Sequence, residues 1–380
     1  MNLLSGSIIN SVVVTGLTLF GLVTPSTADA LKNSKLQVSG YVMLDYDEYD
    51  GFYNKDSDDA EKHFELRRSK ISFSLVPHKD IKSKVQFSYN EEYRSDPEFK
   101  LANAYVSYGG FKGGKVRLGK MKEPYSLEYQ TSSKNLATIE RSLITTAFAP
   151  GSNVGLQLYS NGKKYTWAVG MFQEDKSDAQ AITSRLTYAF ASEREQLWHV
   201  GGSLSLRDIK GEKLKYKERG EVNSAQNIIR SASMNADKLN VIQLEGAYSD
   251  GPLRIQGEAA MASITEVAGE SWRYSGFYLQ ASYLLSGHSG NSYHYKKGTF
   301  KAVKPTSIMG SWELLARYSS INLQDNQLGS KTSIKLLGVN YYAGKNFRLM
   351  VNLLFPTMTG KVVSDAQTGN AISVRGQYQF

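Results

Sequence analysis

The feature that most restricts this chain is a one-for-one alternation of apolar and polar residues that returns along nearly all of its length. A period of two belongs to a strand with one dry and one wet face. No stretch beyond residue 30 carries the 3.6-residue period of an amphipathic helix. Sixteen alternating stretches can be marked: 36–47, 64–76, 81–93, 100–109, 115–120, 153–161, 164–173, 181–191, 197–207, 238–249, 252–264, 272–285, 310–321, 333–343, 347–355 and 371–380. Most reach about ten residues, enough to cross the hydrocarbon of a bilayer at a tilt of about 45°. Phe347, Leu349, Val351, Leu353 and Phe355 fall on one face, and Arg348, Met350 and Asn352 on the other. Ile372, Val374, Gly376, Tyr378 and Phe380 oppose Ser373, Arg375, Gln377 and Gln379 in the same way.

A soluble sandwich alternates too. Two features favour a membrane barrel instead. The chain ends on an aromatic residue, Phe380, inside its last strand, and the connections alternate in length. Short ones (77–80, 109–114, 161–163, 250–251) and long ones (48–63, 121–152, 208–237) fit periplasmic turns and outer loops. The 24 tyrosines suit membrane–water interfaces. No later run is apolar enough for a membrane helix, so a spanning chain of this composition has to be a barrel. The expected fold is all-β, an antiparallel transmembrane barrel of about sixteen strands. An aqueous lumen goes with that strand number.

Residues 1–30 read as a secretory signal, with residues 31–380 as the barrel. Ile8 to Val23 is mostly apolar, and Ala28-Asp29-Ala30 fits a small-x-small cleavage site. Met1 to Ser7 has no Lys or Arg, so a short uncleaved anchor is the alternative; Thr15, Gly16, Thr18 and Gly21 weaken it. The absence of cysteine suits a chain that crosses an oxidising periplasm unfolded. The formal net charge of +9 favours acidic partners, and by itself it leaves nucleic acid, lipopolysaccharide and small anions open.

The stretch Arg117 to Gln157 breaks the rhythm. Pro124 ends a strand, and alternation resumes only at Val154, Leu156 and Leu158. A connection that long is either functional or disordered. This one carries Leu127, Tyr129, Leu136, Ile139, Leu143, Ile144 and Phe148 together with Lys120, Lys122, Lys134 and Arg141. That mixture suits an ordered loop folded into the lumen, where it would be the third outer loop. The string G-K-M-K-E-P-Y-S-L-E…T-S-S…E-R-S-L…F-A-P-G-S-N-V-G resembles the third loop of the phosphate-selective porins of bacterial outer membranes. A second string, G-T-F…V-K-P…G-S-W-E-L…R-Y-S, follows the connection 286–309, which is long where a short turn is expected, and it resembles the same family. The resemblance implies passive diffusion of phosphate or polyphosphate, a homotrimer in the outer membrane among lipid and lipopolysaccharide, and anion-binding lysines on such inserted segments. It implies no cofactor and no nucleic-acid partner. A general anion or non-selective porin is the alternative.

Candidate anion-binding residues are therefore Lys120, Lys122, Lys134 and Arg141 on the loop and Lys301 and Lys304 on the long turn. Basic residues expected to face the lumen are Lys82, Lys84, Lys115, Arg117, Arg185, Arg207, Arg254, Arg317, Arg348 and Arg375. Guanidinium forks hold phosphate oxygens in pairs, and ammonium groups act as point charges. Each arginine has a second reading as one half of a structural ion pair, because Glu245, Glu258 and Glu313 also point inward.

The acidic run Glu48, Asp50, Asp56, Asp58, Asp59, Glu61 and Glu65 lacks EF-hand spacing and reads as a solvated outer loop rather than a calcium site. Gly109 to Gly114 reads as a hairpin turn, since it lacks the Gly-Lys-Ser/Thr ending of a phosphate loop. The remaining classes are a lipase-type barrel enzyme and a structural surface barrel. His63, His78, His288 and His294 lie in expected loops, and His199 in a strand has no nucleophile elbow beside it, so no catalytic or metal residues are assigned.

Overall fold

The computed structural model describes residues 35–54, 59–92, 95–175, 177–191, 196–285, 293–305, 309–360 and 368–380. The expected signal segment, Asp56, Asp58 and His288 lie outside the described residues. The strands are β1 (Lys35–Tyr49), β2 (Glu61–His78), β3 (Ile81–Glu92), β4 (Ser95–Tyr108), β5 (Lys115–Lys122), β6 (Ser152–Asn161), β7 (Tyr165–Gln173), β8 (Gln180–Ala191), β9 (Leu197–Leu214), β10 (Lys217–Glu218), β11 (Ile229–Arg230), β12 (Met234–Asp250), β13 (Leu253–Glu266), β14 (Ser271–Leu284), β15 (Tyr293–His294), β16 (Thr299–Phe300), β17 (Ser311–Asn322), β18 (Ser330–Ala343), β19 (Phe347–Gly360) and β20 (Ala371–Gln379). Two short ribbons, β10–β11 and β15–β16, stand apart. The other sixteen form one closed antiparallel barrel in chain order. Closure runs from Tyr41 opposite Gln379 to Tyr49 opposite Ala371, and it removes the unpaired edge that an open sheet would expose.

The alternation places the faces as expected. Arg348, Asn352, Ser373, Arg375 and Gln377 are buried inside, while Phe347, Leu349, Leu353 and Tyr378 are exposed on the outer wall. Outward aromatics gather near both ends of the barrel. Trp198–Tyr248 at 4.5 Å and Trp312–Tyr341 at 4.7 Å mark the end with short turns. Phe87–Phe99 at 5.6 Å and Phe277–Tyr318 at 5.8 Å mark the end with long loops. Two such girdles are what a transmembrane barrel places at the two interfaces.

Several strands outrun their alternation. β9 and β12 continue to Leu214 and back from Met234, well beyond the stretches 197–207 and 238–249. Their outer ends rise above the apolar band, so the hydrophobic pattern fades while the backbone ladder goes on. A register irregularity between β1 and β2 lies opposite Met43 and Asp45. It lets two consecutive residues, Arg67 and Arg68, both reach inward, to Glu140 and Ser133.

The interior holds a second layer made of loops. Phe52 and Tyr53 from the first outer loop and Val222, Ile228 and Ile229 from the loop after β9 pack with Leu143, Ile144 and Phe148. Beneath them lie the inward wall residues Ile264, Tyr274, Ile321 and Ile334. This apolar mass occupies the side of the barrel formed by β9 and the strands after it.

Candidate functional site

The segment between β5 and β6 lies inside the barrel. It carries two short helices, α1 (Leu127–Gln130) and α2 (Leu143–Phe148). Its three glutamates are its anchors. Glu123 is fully buried and accepts from Arg207, Asn153 and Thr183. Glu128 accepts from Ser142 at 2.7 Å and Arg317 at 3.3 Å. Glu140 accepts from Arg67 at 2.9 Å and Arg375 at 2.7 Å, and these guanidiniums hold its carboxyl well below the usual carboxylate range against the opposing effect of burial. Backbone groups are also satisfied by the wall. Asn352 accepts from the Ile139 N–H, Asn340 donates to the Ala137 carbonyl, and Glu258 accepts from the N–H groups of Leu127 and Glu128. Buried backbone needs such partners, and inward polar residues on the wall provide them.

In this arrangement most of the inward arginines have a carboxylate partner. Arg185 pairs with Glu245, Arg207 with Glu123 and Glu174, Arg317 with Glu128 and Glu221, and Arg375 with Asp45 and Glu140. Arg254 lies 3.5 Å from Glu313, and Arg348 donates to the Leu136 carbonyl. As a group they fasten the inserted segments to the wall.

The long connection after β14 also enters the barrel, from the end with short turns. Its ribbon β15–β16 carries a single 3-10 turn, Tyr295–Lys297, at the tip. Tyr293 and Phe300 pack with Leu127 of α1, so the two inserted segments meet. Next to them opens a cavity of about 620 Å³, walled mainly by β1 to β8. Lys70, Lys82, Lys84, Lys115 and Arg117 line it from the strands, Lys122 from the last position of β5, and Lys296 and Lys297 from the turn tip; Arg185 on β8 also lines it. Among the described residues no carboxylate lines it. Serine, asparagine, glutamine and tyrosine side chains supply the rest of its polar surface, among them Ser72, Ser107, Asn103, Gln86 and Gln157.

The charges in this cavity are held rather than neutralised. The Arg117 guanidinium lies between the rings of Tyr105 and Tyr159, 4.5 and 4.6 Å from their centres, and donates to Gln157 at 3.1 Å. Stacking on aromatic faces fixes a guanidinium without cancelling its charge. The Lys122 ammonium donates to the Tyr129 carbonyl at 2.6 Å. Burial, with Lys82 and Arg117 close by, pushes the Lys297 ammonium below its usual pKa. Apart from Arg185, none of these cations lies within ion-pair distance of a described carboxylate. Unneutralised like charge around one space attracts anions and repels cations.

The expected site residues divide accordingly. Lys82, Lys84, Lys115, Arg117 and Lys122 are brought together around the cavity. Lys120 is not. It shares the outer face with Leu118, sits opposite the outward Val154, and pairs with Asp175 at 2.5 Å. Strand parity forbids Arg117 and Lys120 the same face. Arg141 staples the loop to itself through the Thr131 carbonyl and Ser133. Lys134 flanks a crevice beside Ala302 and Val303, and burial lowers its pKa. Lys301 and Lys304 are exposed, outside the cavity; the turn enters, and it presents Lys296 and Lys297 instead. Lys70 was also missed, although its alternation with Ile71 and Phe73 was the available signal. His199, the strand histidine, is spent on Glu245 and Tyr293. Among the described residues no cluster suited to a metal occurs.

A closed sixteen-strand barrel with aromatic girdles, loops folded inside and a basic lumen defines an outer-membrane porin that favours anions. The family model described as phosphate-selective porin O and P matches residues 36–380. The chain belongs to that family. A curated relative, porin O of Pseudomonas aeruginosa, is 24% identical, with 92% of this chain and 89% of the relative covered. Among solved structures, an anion-selective porin from Comamonas acidovorans shares the fold with a TM-score of 0.58 at 15% identity, covering 92% of this chain and all of that one. A trimer form of the Vibrio cholerae outer-membrane protein OmpT does so with a TM-score of 0.61 at 11% identity, covering 91% and 99%.

Proposed function

We propose that inorganic phosphate or a short polyphosphate crosses the outer membrane through the basic cavity, and that the loop between β5 and β6 narrows this path. One observation carries the reading: Glu123, Glu128 and Glu140 inside the barrel are paired with the arginines that anchor the loop, while among the described residues the cavity lysines and Arg117 have no carboxylate within ion-pair distance. Several lysines of moderate affinity let an anion step from one to the next without being trapped. Arg117, fixed between two tyrosines and donating to Gln157, has no carboxylate partner among the described residues, so its remaining N–H groups can meet phosphate oxygens. Nothing in the transport needs covalent chemistry, and we assign no enzymatic activity.

We further propose a homotrimer, supported by the family and by a structural neighbour described as a trimer form. The outer wall with its girdles is taken to face lipid and lipopolysaccharide, and processing is expected after Ala30. The test of the transport reading is electrical. In planar bilayers the reversal potential in a potassium chloride gradient should show anion preference, and phosphate should block the chloride current. Cation preference, or chloride current indifferent to phosphate, would refute it.

A further inference from the structure

The turn tip that carries Lys296 and Lys297 is fastened by a group of residues with no contact to the cation-lined space except through one member. Arg185 on β8 donates to the Lys297 carbonyl at 3.3 Å and the Gly298 carbonyl at 2.7 Å. The same guanidinium is held from behind by Glu245 on β12, with its closest contact at 2.6 Å. Glu245 in turn meets His199 Nε2 at 2.9 Å, and His199 Nδ1 meets the Tyr293 hydroxyl at 2.5 Å. His199 and Glu245 have wholly buried side chains, and Tyr293 is 2% exposed. A neutral histidine that donates to Glu245 through Nε2 accepts from the Tyr293 hydroxyl through Nδ1, which gives the chain of contacts a consistent set of donors and acceptors.

The tip is also shaped to sit where it does. Gly298 has φ +59°, and a Cβ there would meet Thr187 Oγ1 at 2.7 Å and Thr166 Oγ1 at 3.2 Å. Thr166 and Thr187 hydrogen-bond each other at 2.8 Å and form a small shelf on the wall. Glycine is therefore needed twice over, for the left-handed backbone and for the close approach. The bend leaves the carbonyls of residues 297 and 298 directed at Arg185 and the lysine side chains directed into the cavity.

We propose that Arg185 is a positioning residue for ion selectivity: through two backbone carbonyls, and backed by Glu245, His199 and Tyr293, it holds the tip so that Lys296 and Lys297 stand in the anion path. This rests on the transport reading above. Arg185 lends geometry rather than charge, because its own charge is spent on Glu245. A tip released from the wall would carry its lysines away from the path, and displacement by about a Debye length, roughly 8 Å at physiological salt, screens most of their effect.

The experiment compares permeability ratios of chloride to potassium in planar bilayers for the full-length channel and its variants. Arg185→Ala should lower the ratio by the same factor as the double variant Lys296→Gln/Lys297→Gln, and the triple variant should fall no further. The neutral pair Tyr293→Phe/His199→Leu, which changes no lysine or arginine, should lower the ratio in the same direction. It also serves if Arg185→Ala fails to assemble. A ratio for Arg185→Ala equal to wild type, or losses that multiply in the triple variant, would overturn the proposal, as would a neutral pair with undiminished selectivity. A double lysine variant indistinguishable from wild type would overturn it as well. Absence of anion preference in the wild-type channel itself would instead refute the transport reading, so the two failures are told apart.

Discussion

The replacement Glu140→Gln tests how the inserted loop is held. Glu140 bridges two wall arginines with three charge-assisted contacts: Arg67 at 2.9 and 3.0 Å and Arg375 at 2.7 Å. Glutamine keeps the shape, removes the charge and turns an amide N–H toward a guanidinium. Arg375 retains Asp45 at 2.6 and 2.7 Å, so only Arg67 is left without a carboxylate. Removing one partner of a buried pair costs about 3–5 kcal/mol, and the surviving partner of Arg375 places this case near about 3. That is roughly a hundredfold in the equilibrium between docked and released loop. The wall's own hydrogen bonds are untouched, so the barrel should still assemble and resist protease. Two signals should change: single-channel conductance should become larger and noisier, and a cysteine introduced at buried Ala137 should react faster with thiol reagents. The chain has no native cysteine to confuse the label. Adding Arg67→Met, which removes the stranded cation, should restore both. Unchanged conductance and thiol reactivity in the single variant would refute the view that this triad holds the loop.

Other outcomes follow from the same structure. Because the folded pKa of Glu140 is depressed, its contribution is present above the carboxylate's unfolded value, about 4.3, and is lost as pH falls further; conductance noise at Ala137-side exposure should therefore rise only in acid, and a rise on going alkaline would contradict it. Lys82→Glu with Lys84→Glu should reverse or abolish anion preference, since a pair of charges about 4 Å apart interacts by about 4 kcal/mol at an effective dielectric near 20. Lys120→Glu, on the outer face, should leave the reversal potential unchanged. Deleting Phe380 should impair assembly, judged by loss of the heat-modifiable band, because its backbone exchanges two hydrogen bonds with Gly40 at the barrel seam.

The sequence by itself determined the wall. Strand alternation is local, and each pair such as Leu353 and Asn352 declares its face without knowledge of its neighbours. The number and order of barrel strands, the closure and the long third loop were all legible for that reason. The loop's apolar residues also showed that it needed somewhere to pack. What the tertiary structure decided is which charges meet. Glu123, Glu128 and Glu140 stand in plain view in the sequence, yet their partners Arg207, Arg317 and Arg375 lie far along the chain, and only closure of the barrel brings them within hydrogen-bond reach. With those arginines paired as anchors, the cations left around the cavity are residues that looked no different in sequence. Lys120 and Lys122 lie two residues apart on the same strand, yet Lys120 pairs with Asp175 on the outer side while Lys122, the last residue of β5, lines the cavity and donates to the Tyr129 carbonyl. Lys301 and Lys304 lie outside the cavity and Lys296 and Lys297 line it, on a turn with a glycine bend whose carbonyls at 297 and 298 accept from Arg185. Local periodicity carries the fold because it is repeated in every strand; the site depends on single long-range contacts, and those exist only after the chain has closed.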